Sequence, residues 1–404
     1  MERGVGWNRD SDPAEAWKLG RTRTLLDLAG APDRRMRCVL VAGTKGKGST
    51  AAFLAALLSA GGMRAGLYTQ PHLQSYRERV RVDGVMIDTD GFASAIERWR
   101  DLVAAFRARC PEAGSPTTFE LTTALALAHF AATRCAVAVL EVGLGGRLDA
   151  TNAVEPEVSV LTTIDRGHTD ILGTRLERIA REKAGILRRG RVALVARQRP
   201  SVRHALVGAC RTAGASCRWV DPLQTSTPLS LSGQHQRQNA ALAVAAAAEL
   251  GVRGAEHALR ELRWPGRIET LEGGQMVLDG AHDPASARAL ADELRARGVG
   301  SVKLVIGMYR DKEATRILRP LLPLARRVWV TAPLGPRALP ASELARICRR
   351  LGGAPIDVRE DVASAMDAAR DSAGEGAVVV TGSLALVGQA RDHLGLEPVE
   401  RLWS

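Results

Sequence analysis

Apolar runs alternate with longer mixed segments along the chain, as in proteins where strands and helices follow one another. The run at residues 38–42 meets a glycine-rich turn, and an Ala- and Leu-rich segment at residues 50–60 follows. This order predicts a strand, a loop and a helix. Residues 136–142 and 158–164 predict strands that are buried on both faces, as parallel sheets require. Further helices are predicted at residues 92–109, 121–133 and 238–250.

Residues 264–266, Trp-Pro-Gly, interrupt this alternation, which then starts again. Because Pro and Gly mark loops, we expect a domain boundary here, with one domain at residues 1–265 and another at 266–404. A chain of 404 residues is also long for a single core. The alternation on both sides of the boundary predicts the α/β class with parallel sheets. In the second domain, strands are predicted at residues 275–278, 303–306, 328–330 and 377–380, and a helix at residues 284–297.

The composition is that of a globular chain, with 46% hydrophobic and 25% charged residues. No apolar run approaches the roughly 20 residues that span a bilayer. Residues 1–17 lack the apolar stretch of a secretory signal, so we expect a cytoplasmic protein that has no membrane partner. The six cysteines form no CxxC pair and, with the histidines, no zinc-binding spacing, and we expect free thiols.

The formal net charge of +12 raises the question of nucleic acid binding. The arginines are scattered, and no compact basic block or basic run with interleaved aromatics occurs. We therefore attribute the charge to the codon usage of a GC-rich genome and expect no nucleic acid partner. An excess of positive charge also steers anionic small ligands toward a cleft.

The strongest local signal is the glycine-rich segment GTKGKGST between a predicted strand and a predicted helix. Glycines let backbone N–H groups surround phosphate oxygens at a helix N-terminus. Lys47 suits the β- and γ-phosphates, and the Ser49 hydroxyl suits Mg²⁺. The segment departs from the standard phosphate loop because Gly48 separates the lysine from the hydroxyl residue, and a plain connecting loop is the alternative. The predicted ATP-binding residues here are Gly43, Thr44, Lys45, Gly46, Lys47, Gly48, Ser49 and Thr50.

Two further residues suggest a metal site beside this loop. Glu141 lies at the carboxyl end of a predicted strand, and His168 follows the end of the next one. Ligand clefts open at such strand ends, so these residues and Ser49 together predict a Mg²⁺ site. Histidine is an unusual ligand for Mg²⁺, which prefers oxygen. Taken singly, a surface carboxylate and a loop histidine are the alternatives.

Four motifs occur in a characteristic order, at residues 43–49, 141–152, 181–186 and 279–282. This combination resembles the folylpolyglutamate synthases and dihydrofolate synthases of the Mur ligase superfamily, from about residue 14 to residue 388. The resemblance implies a P-loop ATPase domain with a parallel sheet and a smaller C-terminal Rossmann-like α/β domain. It also implies an ATP-dependent ligase that joins L-glutamate to dihydropteroate or tetrahydrofolates through an acyl phosphate.

The resemblance assigns further roles in the ATPase half. Lys183 resembles a carbamylated lysine that binds a second Mg²⁺ near Glu141 and His168, although the sequence alone suggests an exposed helical lysine. The segments at residues 70–73 and 76–84 resemble the folate-specific part of the family. The implied folate-binding residues are His72, Phe119 in the pterin pocket and Asp149 at the dihydropteroate. By themselves, Phe119 reads as a core residue and Asp149 as a turn residue.

The second half supplies the remaining residues that the resemblance implies. Asn239 matches the adenine side of the ATP site, and Arg267 and Asp279 match other ATP contacts. His282 matches a residue near the terminal phosphate and the incoming glutamate. Ser383 matches the glutamate loop, although a serine after a strand is commonly a helix cap. The implied catalytic residues of the whole chain are Lys47, His168, Lys183 and His282.

Two departures from the family pattern affect the choice of substrate. Asp283 stands where Asn is usual, and residues 164–168 differ from the usual approach to the histidine. A Mur-type ligase for a non-folate acceptor is therefore one alternative; a nucleic-acid-dependent P-loop ATPase and a nucleotide-binding scaffold are others. Asp149 favours a bifunctional enzyme, the resemblance implies a monomer, and a need for K⁺ stays open.

Overall fold

The computed structural model describes residues 19–403, which form two compact units. The first holds the chain up to Gln70 together with Arg79–Gln224 and Gln238–Ala258. The second holds Pro71–Glu78, Thr225–Arg237 and the chain from Leu259 onward. The start of the resemblance at residue 14 and the first residues of the predicted domain 1–265 lie outside the described residues. The boundary between residues 265 and 266 stays a prediction.

The sheet of the first unit is built from strands between residues 37 and 220. Within residues 19–403 its strands are β1 Arg37–Ala42, β2 Ala65–Tyr68, β3 Val80–Val82, β4 Val85–Met86, β5 Val137–Glu141, β6 Val158–Leu161, β7 Val192–Ala196 and β8 Ser216–Val220. Their spatial order is β4-β3-β2-β5-β1-β6-β7-β8. In this spatial order, all neighbouring strands between β2 and the edge strand β8 pair in parallel. At the other edge, β3 pairs antiparallel with β2, and β4 pairs antiparallel with β3. The central strands β1, β5 and β6 therefore direct their carboxyl ends to one edge of the sheet.

The helices of the first unit cover the sheet. They are α1 Leu19–Leu28, α2 Lys47–Ala60, α3 Thr89–Arg109, α4 Thr118–Ala132, α5 Thr169–Leu172, α6 Leu176–Lys183, α7 Pro200–Ala213 and α8 Gln234–Glu249, which belongs to this unit from Gln238 onward. Helix α2 is buried from Ser49 to Leu58, because its Ala and Leu side chains are apolar all round. Helix α4 starts in a capping box of Thr117 and Glu120, and buried Arg21 forms an ion pair with Glu120.

The second unit is built on its own mostly parallel sheet. Its strands are β9 Glu269–Leu271, β10 Met276–Leu278, β11 Val302–Ile306, β12 Ala325–Val330, β13 Ile356–Val358 and β14 Ala377–Thr381. Their order is β13-β12-β11-β14-β10-β9, and β9 alone among these strands pairs antiparallel. Its helices are α9 Pro284–Ala296, α10 Ala314–Leu321, α11 Ala341–Leu351, α12 Val362–Asp371 and α13 Leu384–His393.

Helices cover both faces of this second sheet. Successive residues of β11 belong to different apolar clusters: Leu304 and Ile306 pack on one face, and Val305 packs on the other. Side chains alternate along a strand, so each strand must be apolar on both sides to be buried in this way. The predicted α/β class is confirmed, with the antiparallel strands β3, β4 and β9 as exceptions to the predicted parallel pairing.

Most predicted elements lie where the apolar pattern placed them, and one predicted strand is too long. The strand predicted at residues 158–164 ends at Leu161. The next residues turn aside because the Thr163 carbonyl accepts the N–H groups of Thr44 and Lys45 rather than continuing the ladder. Among residues 19–403, no helix is both long enough and apolar enough to cross a membrane.

Candidate active site

The glycine-rich loop after β1 is fixed by backbone contacts to the chain that follows β6. The N–H groups of Thr44 and Lys45 donate to the Thr163 carbonyl at 2.9 and 3.1 Å. The Thr44 hydroxyl donates to the Asp165 carbonyl at 2.8 Å and accepts from the Asp165 N–H at 3.1 Å. The loop is therefore anchored at its start, which leaves its later amides to face a ligand.

Two glycines of the loop allow close approaches that other residues would prevent. A β-carbon at Gly43 would lie 1.8 Å from the Thr162 hydroxyl oxygen. One at Gly46, where φ is +84°, would lie 2.1 Å from the side-chain oxygen of Asn239 on α8. The loop thus packs directly against buried Asn239, the residue that the sequence assigned to the adenine side of an ATP site.

Helix α2 begins at Lys47, immediately after this turn. Gly46 at its N-cap has no side chain to occupy the first amides of the helix. These amides and the positive end of the helix suit phosphate oxygens. Ser49 and Thr50 lie in the first turn and are buried. The arrangement is suited to binding a phosphate chain.

A cation and an anion lie next to each other beside the loop. The Lys47 ammonium is 3.9 Å from a carboxylate oxygen of Glu141, which is 4% exposed at the carboxyl end of β5. The other carboxylate oxygen accepts the Gln70 N–H at 3.1 Å. Lys47 and Glu141, predicted separately to bind phosphate and metal, are therefore brought together.

Lys183, at the end of α6, donates from its ammonium nitrogen to the Gly43 carbonyl oxygen at 2.8 Å. Its side chain is buried, so the interpretation as an exposed helical lysine is wrong. Burial, and then the nearby charge of Lys47, lowers the pKa of Lys183 to about 7. A buried lysine with such a pKa is partly a neutral amine at physiological pH, and a neutral amine is a nucleophile.

His168 is exposed, whereas the other predicted metal ligands are buried. It is an exposed residue with a left-handed backbone, φ +52°, just before α5. Its neighbour Gly167 lies against Thr44, where a β-carbon would be 2.9 Å from the threonine methyl group. Within residues 19–403, no three His, Cys, Asp or Glu side chains form a group that could hold a metal ion. A divalent ion at Ser49 and Glu141 would therefore need further ligands from outside the protein, such as phosphate oxygens and water, as Mg²⁺ commonly does.

Three side chains converge over Gly143, just beyond Glu141. A β-carbon there would lie 2.5 Å from the Gln70 amide nitrogen, 2.8 Å from the Phe119 ring and 3.0 Å from an Asp149 carboxylate oxygen. Phe119 is half-buried, 6.1 Å from the buried Tyr68 ring between centroids. Two of the predicted folate residues, Phe119 and Asp149, thus lie at one place. Gln70, which begins the folate-like segment at residues 70–73, joins them there, although the sequence did not predict this contact.

Asp149 is fully buried and held by local donors. It accepts the Leu144 N–H at 2.9 Å, the Thr151 N–H at 3.0 Å and the Thr151 hydroxyl at 2.6 Å. Burial raises the pKa of Asp149, and these hydrogen bonds offset part of the rise. The turn interpretation of Asp149 is confirmed in its geometry, since the residue caps the short helical turn at residues 150–153.

In the second unit, Asp279 follows β10 and accepts the Ile268 and Ala281 N–H groups, each at 2.9 Å. Burial raises the pKa of Asp279 to about 6, and the charge of Arg267 opposes the rise. A β-carbon at Gly280 would lie 3.0 Å from the Arg267 guanidinium. The predicted ATP contacts Arg267 and Asp279 are therefore neighbours.

The unusual Asp283 has a structural role. Its carboxylate accepts the Ala285 and Ser286 N–H groups at 3.0 and 3.1 Å and so caps α9. Asn makes the same kind of cap, so the departure adds a charge to an existing contact. The preceding His282 has its Nδ1 2.7 Å from the Gly280 carbonyl oxygen, and its Nε2 is 4.0 Å from the Asp283 carboxylate.

Ser383 and His72, the last of the predicted site residues, both lie in the second unit. Ser383 caps α13, since its hydroxyl accepts the Leu386 N–H at 3.0 Å. The His72 ring lies 4.4 Å from the Tyr76 ring between centroids. A β-carbon at Gly388 of α13 would lie 2.3 Å from the Leu73 carbonyl oxygen, so the segment with His72 packs tightly on that helix.

Both halves of the chain match ligase families. Residues 41–206 match the Mur ligase middle domain, and residues 266–384 match the Mur ligase glutamate ligase domain. A Bacillus subtilis protein named dihydrofolate synthase/folylpolyglutamate synthase is 32% identical, over 93% of this chain and 94% of that protein. This chain belongs to that family of Mur ligases.

A second related protein is longer than this chain, and the match covers only part of its length. A Halobacterium salinarum protein named probable bifunctional folylpolyglutamate synthase/dihydropteroate synthase is 35% identical over 87% of this chain. The present family member spans 46% of that protein's length.

Solved structures of the family share the fold of this chain. A Mycobacterium tuberculosis folylpolyglutamate synthase complexed with ADP and AMPPCP has a TM-score of 0.87 and 33% identity, over 95% of this chain and 96% of that one. Escherichia coli FolC in complex with DHPP and ADP has a TM-score of 0.83 and 31% identity, over 94% and 93%. A Yersinia pestis bifunctional synthase complexed with AMPPNP and Mn has a TM-score of 0.83 and 31% identity, over 96% and 95%.

Proposed function

We propose that this family member uses ATP to join L-glutamate to dihydropteroate, to tetrahydrofolates or to both, through an acyl phosphate. The observation that carries the proposal is the anchored glycine loop with Lys47 beside Glu141 at the start of α2. Such a loop suits a nucleoside triphosphate. The names of the related proteins, and the ADP and DHPP bound to one of them, support the choice of substrates.

The phosphoryl step needs charge neutralisation and alignment rather than covalent help from the protein. In the proposal, the loop at residues 43–50 holds the phosphates of ATP through the amides of residues 46–49 and the Lys47 ammonium, and Asn239 contacts the adenine side. The acceptor carboxylate attacks the γ-phosphorus, ADP leaves, and an acyl phosphate forms. The phosphate group then serves as the leaving group that a free carboxylate lacks.

The acceptor's ring is assigned to the place where Phe119 and Asp149 converge over Gly143. An aromatic face and a carboxylate that accepts hydrogen bonds suit a flat heterocycle with N–H groups on its edge. His72 is proposed as a further contact to the folate.

A divalent ion fits the residues beside the loop, because buried Glu141 supplies an anionic oxygen and Ser49 a hydroxyl. When bound with ATP, such an ion neutralises charge on the phosphates. The Mn in a related structure supports this part of the proposal. His168 and a carbamylated Lys183 are proposed as ligands of a second ion, and the burial and lowered pKa of Lys183 support the carbamylation.

The glutamate amine attacks the acyl phosphate, a tetrahedral intermediate forms, and phosphate is expelled. We assign Arg267 and Asp279 to ATP, and His282 and Ser383 to glutamate and the terminal phosphate. Family membership favours this ligase over a nucleic-acid-dependent ATPase and over a scaffold. A monomeric state and a location in the cytoplasm stay predictions, and a need for K⁺ stays open.

The test is phosphate release from MgATP and L-glutamate with 7,8-dihydropteroate, with tetrahydrofolate and without acceptor, followed by mass analysis of the products. Acceptor-dependent release with a product one glutamyl unit heavier supports the proposal, and the acceptor that works identifies the activity. Folded, ATP-binding protein that shows no acceptor-dependent release contradicts the folate assignment.

A further inference from the structure

Gln70 carries a buried polar atom whose hydrogen-bonding capacity is unused. Its side-chain nitrogen has almost no exposed surface and has no hydrogen-bond partner within residues 19–403. Its backbone N–H, by contrast, donates to Glu141. Leaving a buried amide donor unsatisfied destabilises a fold, so such a group in a native protein needs an explanation.

This nitrogen lies close to the place where Phe119 and Asp149 converge over Gly143. A β-carbon at Gly143 would lie 2.5 Å from this nitrogen, 2.8 Å from the Phe119 ring and 3.0 Å from an Asp149 carboxylate oxygen. Gln70 as a residue is half-buried, although its side-chain nitrogen is not exposed.

The two polar groups are complementary in type. Asp149 offers an acceptor oxygen, and Gln70 offers a donor. A heterocycle on which an N–H donor and a ring nitrogen or carbonyl acceptor stand side by side would satisfy both at once. A site built to hydrogen-bond a substrate rejects analogues that lack the matching group, since the buried polar atoms are then left unpaired.

We propose that Gln70 is a specificity-determining residue that donates from its side-chain nitrogen to the heterocyclic ring of the acceptor, beside the contact made by Asp149. The inference rests on the proposed function and adds a residue and an atom to it. The proposed bond is absent from the free protein, so removing the donor weakens acceptor binding without weakening the fold.

The decisive variant is Gln70→Met, which keeps the length of the side chain and removes the donor. We expect the KM for dihydropteroate and for tetrahydrofolate to rise about tenfold, as expected for one lost hydrogen bond. The KM for ATP and kcat should stay near the wild-type values. The melting temperature should stay the same or rise, because the variant removes an unsatisfied buried group.

Gln198→Met is the matched control for a purely structural glutamine. Gln198 is also in the first unit, and both ends of its amide bond to backbone, at Ile164 and Thr162. This variant should lower the melting temperature. If Gln70→Met leaves the acceptor KM unchanged, or lowers the melting temperature while raising the KM for ATP, the inference is overturned. Wild-type protein with no acceptor-dependent activity would instead remove the proposed function, and the inference with it.

Discussion

The Lys183 ammonium nitrogen lies 2.8 Å from the carbonyl oxygen of Gly43, so the end of α6 is tied to the first residue of the glycine loop. The two residues are 140 positions apart in the sequence, so the sequence alone does not predict this contact. The contact places a buried lysine, whose pKa is lowered to about 7, beside the proposed phosphate site. The protonation state of this one amine should therefore affect the stability of the fold.

The stability of the protein should depend on pH through Lys183. The folded pKa of about 7 is below the unfolded value of 10.5, so between these values the unfolded chain binds more protons and stability rises with pH. Below pH 7 the cost of the buried ammonium is fully present. Lys183→Met removes that cost, so its stabilising effect should be largest near pH 6 and should shrink by about 2–3 kcal/mol toward pH 9.

Denaturant unfolding of both proteins, in CO₂-free buffer with a metal chelator, measures this difference. A difference between Lys183→Met and wild type that does not change from pH 6 to pH 9 would contradict the lowered pKa.

The neutral amine should also react with CO₂ to form a carbamate. At pH 8, protein in ¹³C-labelled bicarbonate should show a carbamate carbon signal by NMR, because most of Lys183 is then unprotonated. Lys183→Met is the control and should lack the signal. If the same signal remains in that variant, another amine is responsible and the carbamylation proposal loses its support.

Gly46 should be intolerant of a side chain because of its neighbour rather than its backbone. Gly46 and Gly62 have similar positive φ angles, +84° and +79°, but a β-carbon meets Asn239 at 2.1 Å in the first and nothing within 4 Å in the second. Both Ala variants should lose about 1–2 kcal/mol from backbone strain.

Gly46→Ala should in addition raise the KM for ATP at least tenfold, measured in the ligation assay, because the loop must move away from Asn239. Equal ATP affinities for the two variants would show that the contact with Asn239 has no part in nucleotide binding.

Ser383 should combine a capping role with a binding role. Its hydroxyl accepts the Leu386 N–H, and the proton of a serine hydroxyl remains to be donated to a carboxylate. Ser383→Ala should therefore cost about 1 kcal/mol of stability and also raise the KM for glutamate.

Asp361→Ala provides the comparison, since Asp361 caps α12 in the same unit through the Ser364 N–H. It should cost similar stability and leave the glutamate KM unchanged. If Ser383→Ala behaves the same way, Ser383 is a cap and nothing more.

The elements that the sequence predicted are those with a continuous apolar run or helical period, such as β1, β5 and α4. Most of the missed strands have weaker patterns; β7, a buried apolar run at Val192–Ala196, is the exception. Strand β2 is four residues long and contains Gly66, where a β-carbon would meet the Phe130 ring at 2.4 Å. Strand β3 contains Arg81, a charged residue that is nevertheless buried. Strands β8 and β13 are edge strands and remain partly exposed.

The site could be predicted in part for a similar reason. The loop at residues 43–50 is a local motif, and its chemistry follows from consecutive residues. The contacts that complete the site are distant in sequence: Gly46 with Asn239, and Gln70 with Phe119 and Asp149. One sequence holds no information about such pairs, so the folate-like segment at residues 70–73 could be recognised while the surroundings of the Gln70 side chain could not.

The most direct test of the account uses dihydropteroate with an ¹⁸O-labelled carboxylate, MgATP and L-glutamate. Transfer through an acyl phosphate predicts a product one glutamyl unit heavier and released phosphate that carries one ¹⁸O from the acceptor, and neither with Lys47→Ala. Unlabelled phosphate without a glutamylated product would show that water attacks ATP, and would contradict the proposed ligase.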